Sequence, residues 1–262
     1  MPKIDDESRG PAIGLAVCVL ATPDAAAITR QCGYDFLVVD MEHGRITVDA
    51  MASICVAGLM GGFPVYVRVT GPTSPDVARV LDCGATGVIV PHVDTLADAE
   101  TIVKKTRFAP VGERALPGAV ALFGFRPVEV ATMVAHSERT TRVIAMIESR
   151  SGLEAAPAIA ALEGVDALMI GSNDLASALG RMGEIDHPDV AAGFRAVAAA
   201  ARGAGKMFAT MGLPEALIGS HARDLGADMI VATNEINLIA DTGTEVLKRV
   251  RGLTAVPASD AA

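Results

Sequence analysis

Residues 142–180 read RVIAMIESRSGLEAAPAIAALEGVDALMIGSNDLASALG, and the fold class turns on this stretch. It holds two apolar runs, VIAMI and ALMI, each ending in a polar turn: Ile147-Glu148-Ser149 and Gly171-Ser172-Asn173-Asp174. An Ala- and Leu-rich segment with helical spacing lies between them. Strand, helix and strand in that order form one unit of a parallel sheet. Both turns put a carboxylate just past the C-terminal end of a strand, where parallel α/β folds gather their chemistry. Glu148 and Asp174 are 26 residues apart, about one β/α repeat, so they are expected side by side on adjacent strands. Two such carboxylates are able to share one hard divalent cation. The alternative is that Glu148 caps a helix and Asp174 is an N-cap.

The same unit recurs on either side. Apolar runs predict further strands at 13–20, 36–40, 64–69, 87–91, 206–211 and 228–233. Between and after them, helices are expected at about 24–33, 47–60, 74–83, 95–106, 127–137, 188–204, 214–225 and 235–251. The runs are apolar throughout rather than alternating, as parallel strands covered on both faces should be. Eight strands in 262 residues predict a single TIM (β/α)8 barrel over 1–262, with loose termini at 1–10 and 253–262. A doubly wound open sheet competes, but no GxGxxG or GxxxxGK[ST] follows the first strand. Residues 107–126, RFAPVGERALPGAVALFGFR, break the rhythm. Long Gly- and Pro-rich loops on a regular scaffold are often lids or binding loops.

Composition narrows the functions. The chain is 51% hydrophobic and 20% charged, enough to bury a large core. Its net charge of −9 argues against nucleic acid or an anionic membrane as partner. An aromatic content of 3%, without Trp, disfavours base stacking. The apolar runs are too short and broken to span a membrane, and MPKIDDESRG has no apolar signal core. A cytoplasmic location is expected. Cys18, Cys32, Cys55 and Cys83 form no CxxC pair and read as reduced, mostly buried thiols.

A barrel would carry Asp40, Glu42 and His43 after its second strand, Arg68 on the third and His92 after the fourth. Glu148 and Asp174 complete that rim. Ionisable groups are costly beside a core, and function is the usual reason for gathering them. Asp40 and His43 are close enough in sequence to pair, and a carboxylate on the imidazole would raise its basicity. The alternative for His43 is a solvated loop histidine. Lys3, Lys104, Lys105, Lys206 and Lys248 all miss the C-terminal strand ends, so a Schiff-base mechanism lacks its nucleophile. GLPEAL and TNEIN, after the last two strands, are not Gly-rich phosphate loops. Carboxylate substrates are expected over phosphorylated ones.

FLVVDMEHG, VYVRV, LDCGATGVIVPHV, RFAPVGERA, MIESRSGLE and VDALMIGSNDLASALG resemble, in order, the motifs of the HpcH/HpaI aldolase family. These are class II, divalent-metal-dependent pyruvate aldolases. The resemblance runs from about residue 13 to 250. It implies a TIM barrel that exchanges its C-terminal helix with a neighbour, usually in a homo-hexamer built as a trimer of dimers. It implies reversible retro-aldol cleavage of a 4-hydroxy-2-oxo acid to pyruvate, or hydroxypyruvate, and an aldehyde through a metal-stabilised enolate. By this resemblance Glu148 and Asp174 are the ligands of Mg²⁺, Mn²⁺ or Co²⁺, and Arg68 contacts the keto oxygen. The backbone of Ser172, Asn173 and Asp174 holds the pyruvate carboxylate. His43 and Asp40 form the acid/base dyad, and Asp82 reaches a neighbouring subunit's site. The chain departs from the family pattern at GSNDL, often GPADL, at His92, commonly Met, and at Met211, where the aldehyde pocket has Leu. His92 and Met211 therefore fall on the substrate side of the site. Oxaloacetate decarboxylation, an acyl-CoA lyase activity and a catalytically silent barrel are the competing readings.

Overall fold

The computed structural model describes residues 10–254. Eight parallel strands close a barrel in chain order: β1 (Ala12–Val17), β2 (Phe36–Asp40), β3 (Val65–Arg68), β4 (Gly87–Val90), β5 (Arg142–Ile147), β6 (Ala167–Gly171), β7 (Met207–Met211) and β8 (Met229–Asn234). The last strand pairs with the first. The helices are α1 (Asp24–Gln31), α2 (Val48–Met60), α3 (Asp76–Asp82), α4 (Leu96–Thr106), α5 (Val130–Thr140), α6 (Arg150–Ala161), α7 (Ser172–Ala178), α8 (Pro188–Gly203), α9 (Ile218–His221) and α10 (Glu235–Thr254). The expected TIM barrel is present. No described helix is long and apolar enough to cross a membrane.

Alternate side chains of each strand enter two different cores. Phe36, Val38, Tyr66, Ile89, Ile144, Met146 and Met169 fill the barrel interior. Leu37, Val39, Val65, Val67, Val88 and Ile147 pack in the layer between strands and helices. Two apolar layers require strands that are apolar at every position. The rings of Phe36 and Tyr66 meet edge to face with centroids 5.5 Å apart. A Cβ on Gly14 would collide with the first ring, and one on Gly87 with the second and with the Arg142 carbonyl. Side-chain caps set several helix starts. Ser149 Oγ accepts the Gly152 N–H at 2.9 Å to open α6, and Thr95 with Asp98 forms a capping box on α4.

Four expectations change. The helix expected at 214–225 is broken into two 3-10 turns around the four-residue α9. Gly219 is a weak helix former, and His221 turns inward to meet Phe194 of α8 edge to face, centroids 5.1 Å apart. A short helix, α7, starts directly at Ser172. Residues 107–126 do not form a lid over the rim of their own barrel. They leave the lower end of α4 and pack near the N-terminal strand ends. Arg107 bonds Gly164 O at 3.0 Å and Asp166 at 2.5 Å just before β6, and Arg114 bonds Asp82 at 2.6 Å at the end of α3. Finally, Leu253 and Thr254, read as loose, continue α10. Residues 1–9 and 255–262 of the expected loose termini lie outside the described residues.

The last helix is attached only at its start. Glu235 is buried, and its Oε1 accepts the N–H groups of Cys18, Val19 and Leu20 at 2.7, 2.6 and 3.0 Å. From Ile239 onward every described residue of α10 is exposed, Leu253 by 86%. At 1.5 Å per residue, this helix is about 30 Å long and stands largely clear of its own barrel.

Candidate active site

The C-terminal strand ends bring the rim residues together. The β2–β3 register places Asp40 directly opposite Arg68. Asp40, 1% exposed, accepts Arg68 Nε at 3.0 Å and Nη2 at 2.5 Å. Arg68 Nη1 reaches Glu42 Oε2 at 3.0 Å. Burial opposes the charge on Arg68, but the bonds and charges of Asp40, with Glu42 and Glu148, outweigh it and raise the pKa. The hydrogen bonds to Asp40 use Nε and one N–H of Nη2, Nη1 meets Glu42 as an ion pair, and N–H groups remain on both Nη for a ligand.

The expected pairing of the Asp40 carboxylate with the His43 ring is replaced by a different arrangement. Asp40 Oδ1 accepts the backbone N–H of Glu42 at 3.0 Å and of His43 at 3.2 Å. The His43 side chain is 64% exposed, and its Nε2 lies 4.0 Å from Glu42 Oε2. The physical reason is the ladder: a buried carboxylate opposite a guanidinium takes the bidentate bond, and sequence proximity to His43 does not compete with it.

Glu148 follows β5 and is 4% exposed. It is not a helix cap, since Ser149 has that place. Its Oε1 accepts the His92 backbone N–H at 2.8 Å and lies 3.0 Å from the His92 ring Nδ1. The other ring nitrogen of His92 is 2.8 Å from Glu42 Oε1. Burial raises the pKa of Glu148; His92 works against this, while the Asp174 and Glu42 charges add to it. Asp174 lies just past the end of β6, as expected, in the first turn of α7, which starts there with no side-chain cap. Ser172 is buried there and donates to the Met211 carbonyl at 2.9 Å.

A cavity of about 370 Å³ opens above this rim. Asp40, His43, Arg68, Ser172, Asn173 and Asp174 line it, together with Met211. Cys18, Leu213, Pro214, Thr233, Asn234 and Asn237 complete its walls. Thr233 and Asn234 end β8 and Asn237 lies in the first turn of α10; the sequence shows them as a TNEIN turn, and nothing in it marks them as lining. Glu42 was placed on the rim without a role, yet it joins Arg68 to His92. Asp82 is not part of this rim: it ends α3, five residues before β4 begins, at the opposite end of the barrel.

The donor set suits a hard cation. Asp40, Glu42 and Glu148 act on one arginine, the Asp174 charge reaches Glu148, and Gly171 leaves room for Glu148 Oε2 where a Cβ would collide with it. Among the described residues no three His, Cys, Asp or Glu side chains form a metal cage. A cation held by Glu148 and Asp174 would complete its shell from water and substrate, as Mg²⁺ commonly does.

Barrel and rim define an enzyme of the (β/α)8 class with an acidic centre at its C-terminal mouth. Residues 17–237 match the HpcH/HpaI aldolase/citrate lyase family. The chain is 33% identical to the 4-hydroxy-4-methyl-2-oxoglutarate aldolase tasA of Hapsidospora irregularis, over 86% of this chain and 85% of that one. It is 30% identical to a hydroxypyruvate/pyruvate aldolase of Pseudomonas aeruginosa, over 92% and 89%. The crystal structure of an HpcH/HpaI aldolase from Desulfitobacterium hafniense DCB-2 superposes with a TM-score of 0.86 at 26% identity, covering 92% of this chain and 93% of that one. The chain therefore belongs to the HpcH/HpaI aldolase/citrate lyase family, and it is a carbon–carbon lyase of the aldolase type.

Proposed function

We propose that the protein cleaves a 4-hydroxy-2-oxo acid to pyruvate or hydroxypyruvate and an aldehyde, with a divalent cation held by Glu148 and Asp174. The observation that carries this reading is Arg68, buried between Asp40 and Glu42 with N–H groups to spare, on the same rim as Glu148 and Asp174. A bound Mg²⁺, Mn²⁺ or Co²⁺ supplies positive charge to the carboxylate and keto oxygen of the 2-oxo acid. Relatives bearing pyruvate, hydroxypyruvate and 4-hydroxy-2-oxo acid aldolase names support the substrate class.

The chain's own residues divide the work. The backbone of Ser172, Asn173 and Asp174, at the uncapped start of α7, faces the substrate carboxylate. The free N–H groups of Arg68 donate to the keto oxygen, where negative charge grows as the C3–C4 bond breaks. His43, exposed at the cavity wall, takes the proton of the C4 hydroxyl as that carbon becomes the aldehyde. Asp40 holds the His43 backbone and Arg68 in register with each other. Return of that proton from His43, through water, to C3 then gives the 2-oxo acid product and restores the base. Beyond this half of the site the walls pair Met211, Leu213 and Pro214 with Thr233, Asn234 and Asn237. Such walls fit a short aldehyde carrying a hydroxyl group.

The exposed face of α10 supports the assembly reading. Exposed Ile236, Ile239, Val246, Leu247, Val250 and Leu253 on α10 form an apolar set that a neighbouring copy would cover, as in a hexamer with exchanged C-terminal helices. Asp82 and the 107–126 segment lie at the far end of their own barrel. If they serve a cavity, it is that of another subunit. The test of the activity is a screen of the Mn²⁺-loaded protein with pyruvate and hydroxypyruvate against a panel of aldehydes. Aldol product from at least one pair is expected; none from any pair would overturn the reading.

A further inference from the structure

His92 sits between two carboxylates that do different work. Its backbone N–H and its ring Nδ1 both meet Glu148 Oε1, at 2.8 and 3.0 Å. Its Nε2 is 2.8 Å from Glu42 Oε1, and the other oxygen of Glu42 is 3.0 Å from Arg68 Nη1. Arg68 in turn grips Asp40. One continuous belt of polar contacts thus runs from Glu148 through His92, Glu42 and Arg68 to Asp40, across the ends of β5, β4, β2 and β3.

The backbone at His92 is unusual as well. Its φ is 57°, in the left-handed region that non-glycine residues seldom occupy. Strain of this kind persists where surrounding contacts over-determine it. Here the conformation brings main chain and ring onto the same oxygen of Glu148. The remaining oxygen, Oε2, leans toward Gly171, where the missing Cβ makes its space. Gly171 ends β6, and Asp174 follows three residues later.

We propose that His92 is a positioning residue for the cation site: it occupies Glu148 Oε1 so that Oε2 alone is offered on the side of Asp174. This inference rests on the reading of Glu148 and Asp174 as cation ligands. Groups that orient a metal-ligating carboxylate are often worth about 10–100-fold in metal affinity. Glu42 has the matching part on the other side of the ring, holding the imidazole between the carboxylates.

The test is Mn²⁺ binding without substrate, followed by the loss of the free-ion electron paramagnetic resonance signal, in wild type, His92→Met and His92→Gln. Methionine leaves the backbone bond intact and removes both ring contacts. Its Mn²⁺ dissociation constant, measured well below the melting midpoint of each metal-free variant, should rise about 10–100-fold. Glutamine restores one side-chain donor and should recover part of the loss. A His92→Met protein that binds Mn²⁺ as tightly as wild type overturns the proposal. So does equal weakening in both variants with a lowered midpoint, which would make His92 a packing residue. Wild-type protein that binds no Mn²⁺ overturns both this proposal and the cation reading beneath it. Normal Mn²⁺ binding with no aldol product, by contrast, removes the aldolase reading and leaves His92 in place.

Discussion

Arg68→Lys separates the charge of Arg68 from its shape. Arginine here makes three charge-assisted contacts: Nε and Nη2 to Asp40 and Nη1 to Glu42. Lysine keeps the charge on one nitrogen and cannot span both carboxylates. Asp40 keeps the backbone N–H groups of Glu42 and His43, so it is not left without partners. Hydrogen bonds to charged groups contribute about 1.5–3 kcal/mol each. With one contact retained and the others strained or lost, a destabilisation of about 2–4 kcal/mol is expected. For a chain of this size that is roughly 5–15 °C in melting midpoint, measured by scanning calorimetry. The catalytic effect is separate. Losing a preformed donor at a developing oxyanion typically lowers the rate about 10²–10³-fold. Exchange of the pyruvate methyl protons in D₂O, followed by proton NMR well below the melting midpoint, reads enolate formation without any aldehyde. Exchange within twofold of wild type would remove Arg68 from the enolate step. An unchanged midpoint would show that the Asp40–Arg68–Glu42 cluster does not stabilise the rim.

Other perturbations probe the remaining parts. His43→Ala should lower aldol cleavage about 10²–10⁴-fold while sparing oxaloacetate decarboxylation, which has no hydroxyl proton to remove; equal loss of both reactions would take the base role from His43. Cys18 lines the cavity, but burial, followed by the charges of Asp40 and Glu235, pushes its thiol up to about 12. Its thiolate fraction at pH 8 is then about one part in ten thousand, and it becomes reactive only as pH rises toward that value. Iodoacetamide at pH 8 should therefore label exposed Cys32 and spare Cys18 by mass spectrometry, and rapid labelling of Cys18 would contradict this environment. Light scattering should find an oligomer in the active protein, because α10 leaves its apolar side chains uncovered within one chain; an active monomer would contradict the exchange of that helix.

The barrel was legible because each strand must feed two apolar layers. β2 falls on the expected residues, 36–40, and the other strand ends differ by a few residues at most. The helix at 214–225 was not legible, because its break depends on His221 finding Phe194, a contact between distant parts of the chain. The segment 107–126 was recognisable as irregular, but which end of the barrel it occupies was not legible. Its position follows from α4, which runs antiparallel to the strands and must deliver the chain to their N-terminal ends. Within the site, the rim residues could be named from sequence, since each follows an apolar run. Their partners could not. Asp40 was matched to His43 by proximity, while the sheet register gives it to Arg68. Glu42 and His92 had no evident partner in sequence, and only folding shows that they meet.

On this reading a cation on Glu148 and Asp174 works beside Arg68 to cleave a 4-hydroxy-2-oxo acid. The direct measurement is the rate of pyruvate release from such an acid, read by coupled lactate dehydrogenase. It compares chelated protein, Mn²⁺-reloaded protein and reloaded Glu148→Ala. Release is expected to vanish on chelation, return with Mn²⁺ and stay absent in Glu148→Ala. Full release from exhaustively chelated protein, or from the Glu148→Ala protein, would contradict the account.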